Sequence, residues 1–140
     1  METVVEQPKK RSGLNIFLWI VQGLLAFAFL AAGFMKVSTP YAQLIANPRM
    51  AWTQDFSAGF IQFIGAAEIL GAVGLLVPSL TRIQPRLTPL AAAGLVLIML
   101  GAAATHIRRG EPFIPTLVLA SLAVVVAWGR WKKAPIAPRA

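Results

Sequence analysis

With 140 residues, 57% of them hydrophobic, a mean hydropathy of +0.69 and only 13% charged, the chain has too little polar surface for a soluble domain and reads as a polytopic membrane protein. Its net charge of +8 comes from short basic clusters bordering apolar runs, with no aromatic-interleaved basic face, which points to membrane flanks and away from nucleic acid. The absence of cysteine and the single histidine exclude thiol–disulfide exchange, thiolate-held clusters, bis-His haem ligation and multi-His metal sites within this chain.

Residues 1–13 form a polar arm with Lys9, Lys10 and Arg11, in which Pro8 breaks any early helix. The first span, 14–36, is about twice the length of a signal-peptide apolar region, so it is expected to stay uncleaved. Its apolar part, about 22 residues or roughly 33 Å of helix, crosses the hydrocarbon. Gln22, Phe29 and Lys36 are spaced by sevens and share a face, with Ala32 and Gly33 one turn below the lysine. Lys36 reads either as an interfacial lysine reaching the headgroups or as part of a site. Gln22 reads either as an interhelical hydrogen-bonding residue or as a polar group of the same face.

The connection 37–55 opens with Thr39-Pro40, a cap followed by proline, so a short interfacial helix is expected over Tyr41–Ala46, ending at Asn47-Pro48. Trp52 reads as an interfacial anchor and Asp55 stands near the mouth of the next span. A connection of this length is either a lid over a cavity or a plain surface loop.

The second span, 56–77, is expected to close at Pro78 and places Glu68 near its middle. A charged residue at a helix centre in lipid costs about 2.5–3.5 kcal/mol on insertion scales, so Glu68 needs a partner, a proton or a wet cavity. At 100° per residue, Ile61, Ile64, Gly65, Ala72 and Leu75 share its side, and the flanking Gly65 and Ala72 are small enough for close approach. Ala67 and Gly71 add a second small pair. A purely structural role, a protonated acid fixing helix packing, is the competing reading.

Thr88-Pro89 repeats the cap-plus-proline pattern and starts the third span, 89–106, where His106 tops a face carrying Met99, Ala102 and Ala103. A turn with Arg108, Arg109 and Glu111 leads to the fourth span, 115–131, which ends in Trp128 and Trp131, followed by a basic tail, 132–140. Nine basic residues flank the side that holds both termini and four flank the other. The positive-inside rule therefore predicts cytoplasmic ends, with the tail as a cytoplasmic segment and Lys36 and His106 at the external leaflet.

Lys36, Glu68 and His106 are the ionisable groups placed to converge on one cavity. They suit either the polar head of an amphipathic molecule whose tail lies on apolar walls, or the passage of a proton between cavity and water. No nucleophile–base–orienter set accompanies them, so self-contained catalysis is not expected.

Phe29-Leu-Ala-Ala-Gly33-Phe-Met-Lys36, Gly65-Ala-Ala-Glu68-Ile-Leu-Gly71 with Gly74 and Pro78, and Ala104-Thr105-His106 before a basic turn resemble the DoxX and DoxX-like family. The resemblance covers nearly all of the chain except its tails. It implies an all-α membrane protein built as a four-helix bundle in a bacterial-type plasma membrane, with Lys36, Glu68 and His106 as the family-like polar positions. Founding members are similar to the membrane subunit of a thiosulfate:quinone oxidoreductase, and an animal branch is a receptor-assembly chaperone. The leading expectation is thus a subunit of a membrane oxidoreductase assembly, with no intrinsic cofactor, that takes a quinone-like ligand at Glu68, Lys36, His106, Phe29 and Gln22. Its expected partners are the bilayer and an oxidoreductase or a second copy of itself. An assembly factor pairing with a client through intramembrane polar groups, or a proton-coupled transporter, are the alternatives.

Overall fold

The computed structural model describes residues 12–139. The expected arm, with Pro8, Lys9, Lys10 and Arg11, lies outside the described residues except for Ser12 and Gly13. The chain forms α1 (Gly13–Ser38), α2 (Tyr41–Ala46), a 3-10 segment (Pro48–Asp55), α3 (Ala58–Thr81), α4 (Leu87–Arg108) and α5 (Ile114–Trp128), which widens into a π-turn (Gly129–Lys133). No strand occurs among the described residues. Four helical stretches, α1, α3, α4 and α5 with its π-turn, are long and apolar enough to cross a membrane.

These four pack as a ring in chain order, α1 on α3, α3 on α4, α4 on α5 and α5 back on α1. Leu18, Leu25, Phe29, Leu75, Leu95 and Val126 fill its centre. The outward faces are apolar as well: Phe27 is 76% and Leu70 72% exposed. A bundle that stood in water would carry charge there, so the pattern fits a hydrocarbon surround. The chain is an all-α, multi-pass integral membrane protein.

Local chemistry sets the helix ends. Ser12 Oγ accepts from the Asn15 N–H (3.1 Å) and starts α1. Pro40 pushes Thr39 into extended backbone, and the Thr39 N–H returns to the Met35 carbonyl, so this threonine closes α1 instead of capping α2. Pro40 itself flanks α2, its carbonyl accepting from Gln43 and Leu44. Ser57 caps α3 by accepting from the Phe60 N–H (3.2 Å), which puts the helix start at Ala58 rather than Phe56.

The expected stop at Pro78 does not occur, since α3 runs through it to Thr81. Proline removes the N–H that would bond the Gly74 carbonyl. Here Thr88 Oγ1 donates to that carbonyl (3.0 Å), and Gln22 Nε2 donates to the next one, Leu75 (2.6 Å). A neighbouring helix thus satisfies the carbonyl that the proline frees, as a segment in lipid requires. Thr88 is spent on this task and is not the cap of α4, which begins at Leu87 and keeps Pro89 in its first turn.

Candidate functional site

Glu68 is 2% exposed, so α3 turns it into the bundle while Leu70, two residues on, faces outward. Glycine makes this geometry possible. At Gly33 a Cβ would stand 2.5 Å from the Gly65 carbonyl oxygen, and at Gly65 it would stand 2.8 Å from Lys36 Cβ. Helices α1 and α3 therefore cross backbone against backbone beside the pair, the close approach that small residues permit in membranes. One turn along each helix, Lys36 Nζ lies 3.0 Å from Glu68 Oε1 and 3.2 Å from Oε2. Lys36, 8% exposed, does not reach out to the headgroups; it neutralises the acid inside the bundle.

The pair borders a cavity of about 630 Å³ between the α1–α3 and α4–α5 sides of the ring. Phe29, Ile64, Met99 and Leu119 supply apolar walls, and Met50 and Trp52 of the 3-10 segment close one end. The Lys36 ammonium sits 5.8 Å from the Trp52 ring centre, within cation–π range. Four lining residues, Met35, Phe60, Leu97 and Gly101, are also exposed on the outer surface, so the cavity communicates with the lipid-facing side. Trp52, which reads from sequence as an interfacial anchor, is thus a wall of the cavity.

His106 also lines this space, but its bond runs elsewhere. Its Nδ1 is 2.8 Å from Glu111 Oε2, and its ring meets Trp52 edge-on at 6.3 Å. Glu111 Oε1 accepts from Arg109 Nε (2.7 Å), and Asp55 accepts from Arg109 (2.7 Å) and Arg108 (3.4 Å). This chain of charges ties the 3-10 segment to the α4–α5 turn. The hydrogen bond from Arg109, with that of His106, holds the Glu111 carboxyl below the usual carboxylate range. Its bonds to Glu111 and Asp55 push the Arg109 guanidinium further up. The sequence places Glu111 five residues beyond His106 in a basic turn, which is the only hint of this pairing.

Gln22 departs from its expected place. Although it shares the α1 face of Phe29 and Lys36, two heptads carry it to the opposite end of the bundle, and it is not among the residues lining the cavity. There it is fully buried, donates to Leu75 and, at 3.4 Å, to Ser79, and accepts from Arg130 Nε at 2.6 Å. Arg130 also donates to Asn15 Oδ1 (2.7 Å) and the Ala134 carbonyl (2.8 Å) and lies over the Trp19 ring. Arg130, one of the nine basic residues counted on the side of the termini, is thus a buried clamp, turned in by the π-turn at Gly129, where Leu18 leaves no room for a Cβ. The structure gathers Lys36, Glu68, Phe29 and His106 at one cavity and gives Gln22 to a second polar network.

A scan of family models matches the DoxX-like family over residues 20–129. The chain belongs to the DoxX-like family. Neither the curated proteins nor the solved structures gave a match. In this DoxX-like protein the matched stretch holds every residue that lines the cavity, whereas Asn15, Arg130 and the tail fall outside it.

Proposed function

We propose that this DoxX-like protein binds a small amphipathic molecule, foremost a quinone, in the cavity beside Lys36 and Glu68, and serves as a subunit of a membrane oxidoreductase assembly. The observation that carries the reading is a buried ammonium–carboxylate pair on the wall of an otherwise apolar cavity whose volume lies in the usual ligand range of about 300–1,000 Å³. Ligand pockets combine apolar walls with a few placed polar groups in this way.

The donor set fits a quinone head. Lys36 has three N–H groups, and after its contacts to Glu68 one remains for a ligand carbonyl oxygen. Glu68 holds the Lys36 side chain in place, while Phe29 and Trp52 cover a ring and Met35, Phe60 and Leu97 mark the exit for a tail. His106 and Glu111 stand at the rim, where a proton can pass to water. A bound quinone supplies two-electron carbonyl–hydroquinone chemistry. Because the sequence has no cysteine, the electrons in this reading come from a partner subunit.

The same reading places the protein in a bacterial-type plasma membrane with both ends cytoplasmic. With Arg130 and Lys36 both buried, eight flanking basic residues face three across the membrane. Pairing with a client through Glu68 is disfavoured, because Lys36 already occupies that carboxylate.

Solvent extraction of protein purified in mild detergent, followed by mass spectrometry, should recover a quinone. Added short-chain quinone should raise the melting temperature of the wild type and not of Lys36→Met. No quinone in the extract and no thermal shift would overturn the proposal.

A further inference from the structure

At the end of the bundle away from the cavity, the α3–α4 turn, the π-turn and the C-terminal stretch enclose a groove of about 1030 Å³. Four arginines line it, Arg82 and Arg86 from the turn, Arg130 from the π-turn and Arg139 from the tail. Arg130 is committed inward to Gln22 and Asn15, whereas Arg82, Arg86 and Arg139 are exposed. Among the described residues the acids are Asp55, Glu68 and Glu111, and all five ion pairs use them at the other end. No described carboxylate therefore answers the charge of this groove.

The backbone is shaped around it. Arg82 (φ 58°) and Gln84 (φ 49°) both adopt the left-handed region, where a side chain is costly and glycine or asparagine is the usual occupant. The Arg139 N–H donates to the Arg82 carbonyl (2.8 Å), which holds the tail across the turn and brings the third exposed guanidinium to the other two. Ile83 and Trp131, both exposed, line the same groove at the level where spans α3 and α5 end.

We propose that this groove binds the phosphate of an anionic phospholipid, with Arg82, Arg86 and Arg139 on the phosphate oxygens and Ile83 and Trp131 against the glycerol and first acyl carbons. Guanidinium forks match phosphate geometry in pairs of hydrogen bonds. The exposed apolar residues in the same groove favour a lipid over a soluble anion, and tryptophan is the residue type that settles at headgroup depth. Diffuse attraction between a basic surface and an anionic leaflet differs from this site in one respect. It would be carried equally by Lys132 and Lys133, which are exposed at the same end and do not line the groove.

Native mass spectrometry of the full chain in mild detergent, with phosphatidylglycerol or phosphatidylcholine added, separates the two. One phosphatidylglycerol should be retained under activation that strips phosphatidylcholine. Arg82→Gln/Arg86→Gln should lower that retention on the order of tenfold to thirtyfold, as expected for two arginines at an anionic headgroup. Lys132→Gln/Lys133→Gln, which removes the same charge, should leave it within about twofold. All four positions are exposed, and melting curves identify any variant that fails to fold. Equal losses in the two double variants, equal retention of the two lipids, or displacement of the lipid by millimolar inorganic phosphate would each overturn the proposal.

Discussion

Replacing Lys36 with methionine isolates what the buried ion pair contributes. The ammonium lies 3.0 and 3.2 Å from the two oxygens of Glu68, and the residues are 8% and 2% exposed, so solvent screening is slight. At this separation two unit charges attract by roughly 5 kcal/mol with an effective dielectric of about 20. Most of that offsets the desolvation of both groups, so the intact pair adds little net stability over an apolar pair of the same shape. Removing one partner alone leaves the other buried and uncompensated, at a cost of about 3–5 kcal/mol. Lys36→Met should therefore destabilise strongly, and Lys36→Met/Glu68→Gln should recover most of the loss. Equilibrium unfolding in mild detergent micelles across the four variants of the cycle gives the coupling directly. It should come to about 2 kcal/mol or more, whereas additivity within about 0.5 kcal/mol would show that the two side chains do not depend on each other.

The remaining expectations follow from individual contacts. Gly33→Ala puts a methyl 2.5 Å from the Gly65 carbonyl and should cost about 1–3 kcal/mol in unfolding free energy, as overpacking does; a neutral result would refute the backbone contact. Thr88→Val orphans the Gly74 carbonyl and removes the Ser79–Thr88 hydroxyl bond (2.7 Å), and should cost about 1–3 kcal/mol, while Pro78→Ala in the same chain restores an in-helix partner for the carbonyl and should remove part of that loss in the same assay. Glu111 is held below its unfolded pKa, so its contribution is fully present above the unfolded value and fades as pH falls through the folded one. Hydrogen exchange across Pro48–Asp55, taken relative to the intrinsic amide rate at each pH, should accordingly quicken in acid below the ordinary carboxylate range of about 4. It should quicken at neutral pH in Arg109→Ala, and exchange that ignores both changes would refute the tether.

The spans were legible because their information is local. Apolar runs of membrane-crossing length separated by proline and charge admit few other readings, and the small residues Gly65 and Ala72 beside Glu68 already marked its inward face. What depends on a neighbour was not legible. Pro78 reads as a stop until Thr88 is seen to take the carbonyl it frees. Heptad spacing puts Gln22 on the face of Lys36, yet the 14 residue steps between them amount to about 21 Å of helix, so one face serves two sites. Arg130 reads as one more flanking charge because the π-turn that swings it inward has no clear local signature, only a glycine that Leu18 packs against. His106 lies in the last turn of α4, but its partner Glu111 lies across a turn whose hand is set by Gly110 at φ 67°.

Photolabelling with an azidoquinone, followed by peptide mass spectrometry, tests the occupancy of the cavity most directly. The label should concentrate on peptides holding Phe29, Trp52 or Met99, should be competed by unlabelled quinone, and should fall sharply in Lys36→Met. Label spread instead over outward residues such as Phe27 and Leu70, with no competition and no effect of the substitution, would contradict a quinone site beside the Lys36–Glu68 pair.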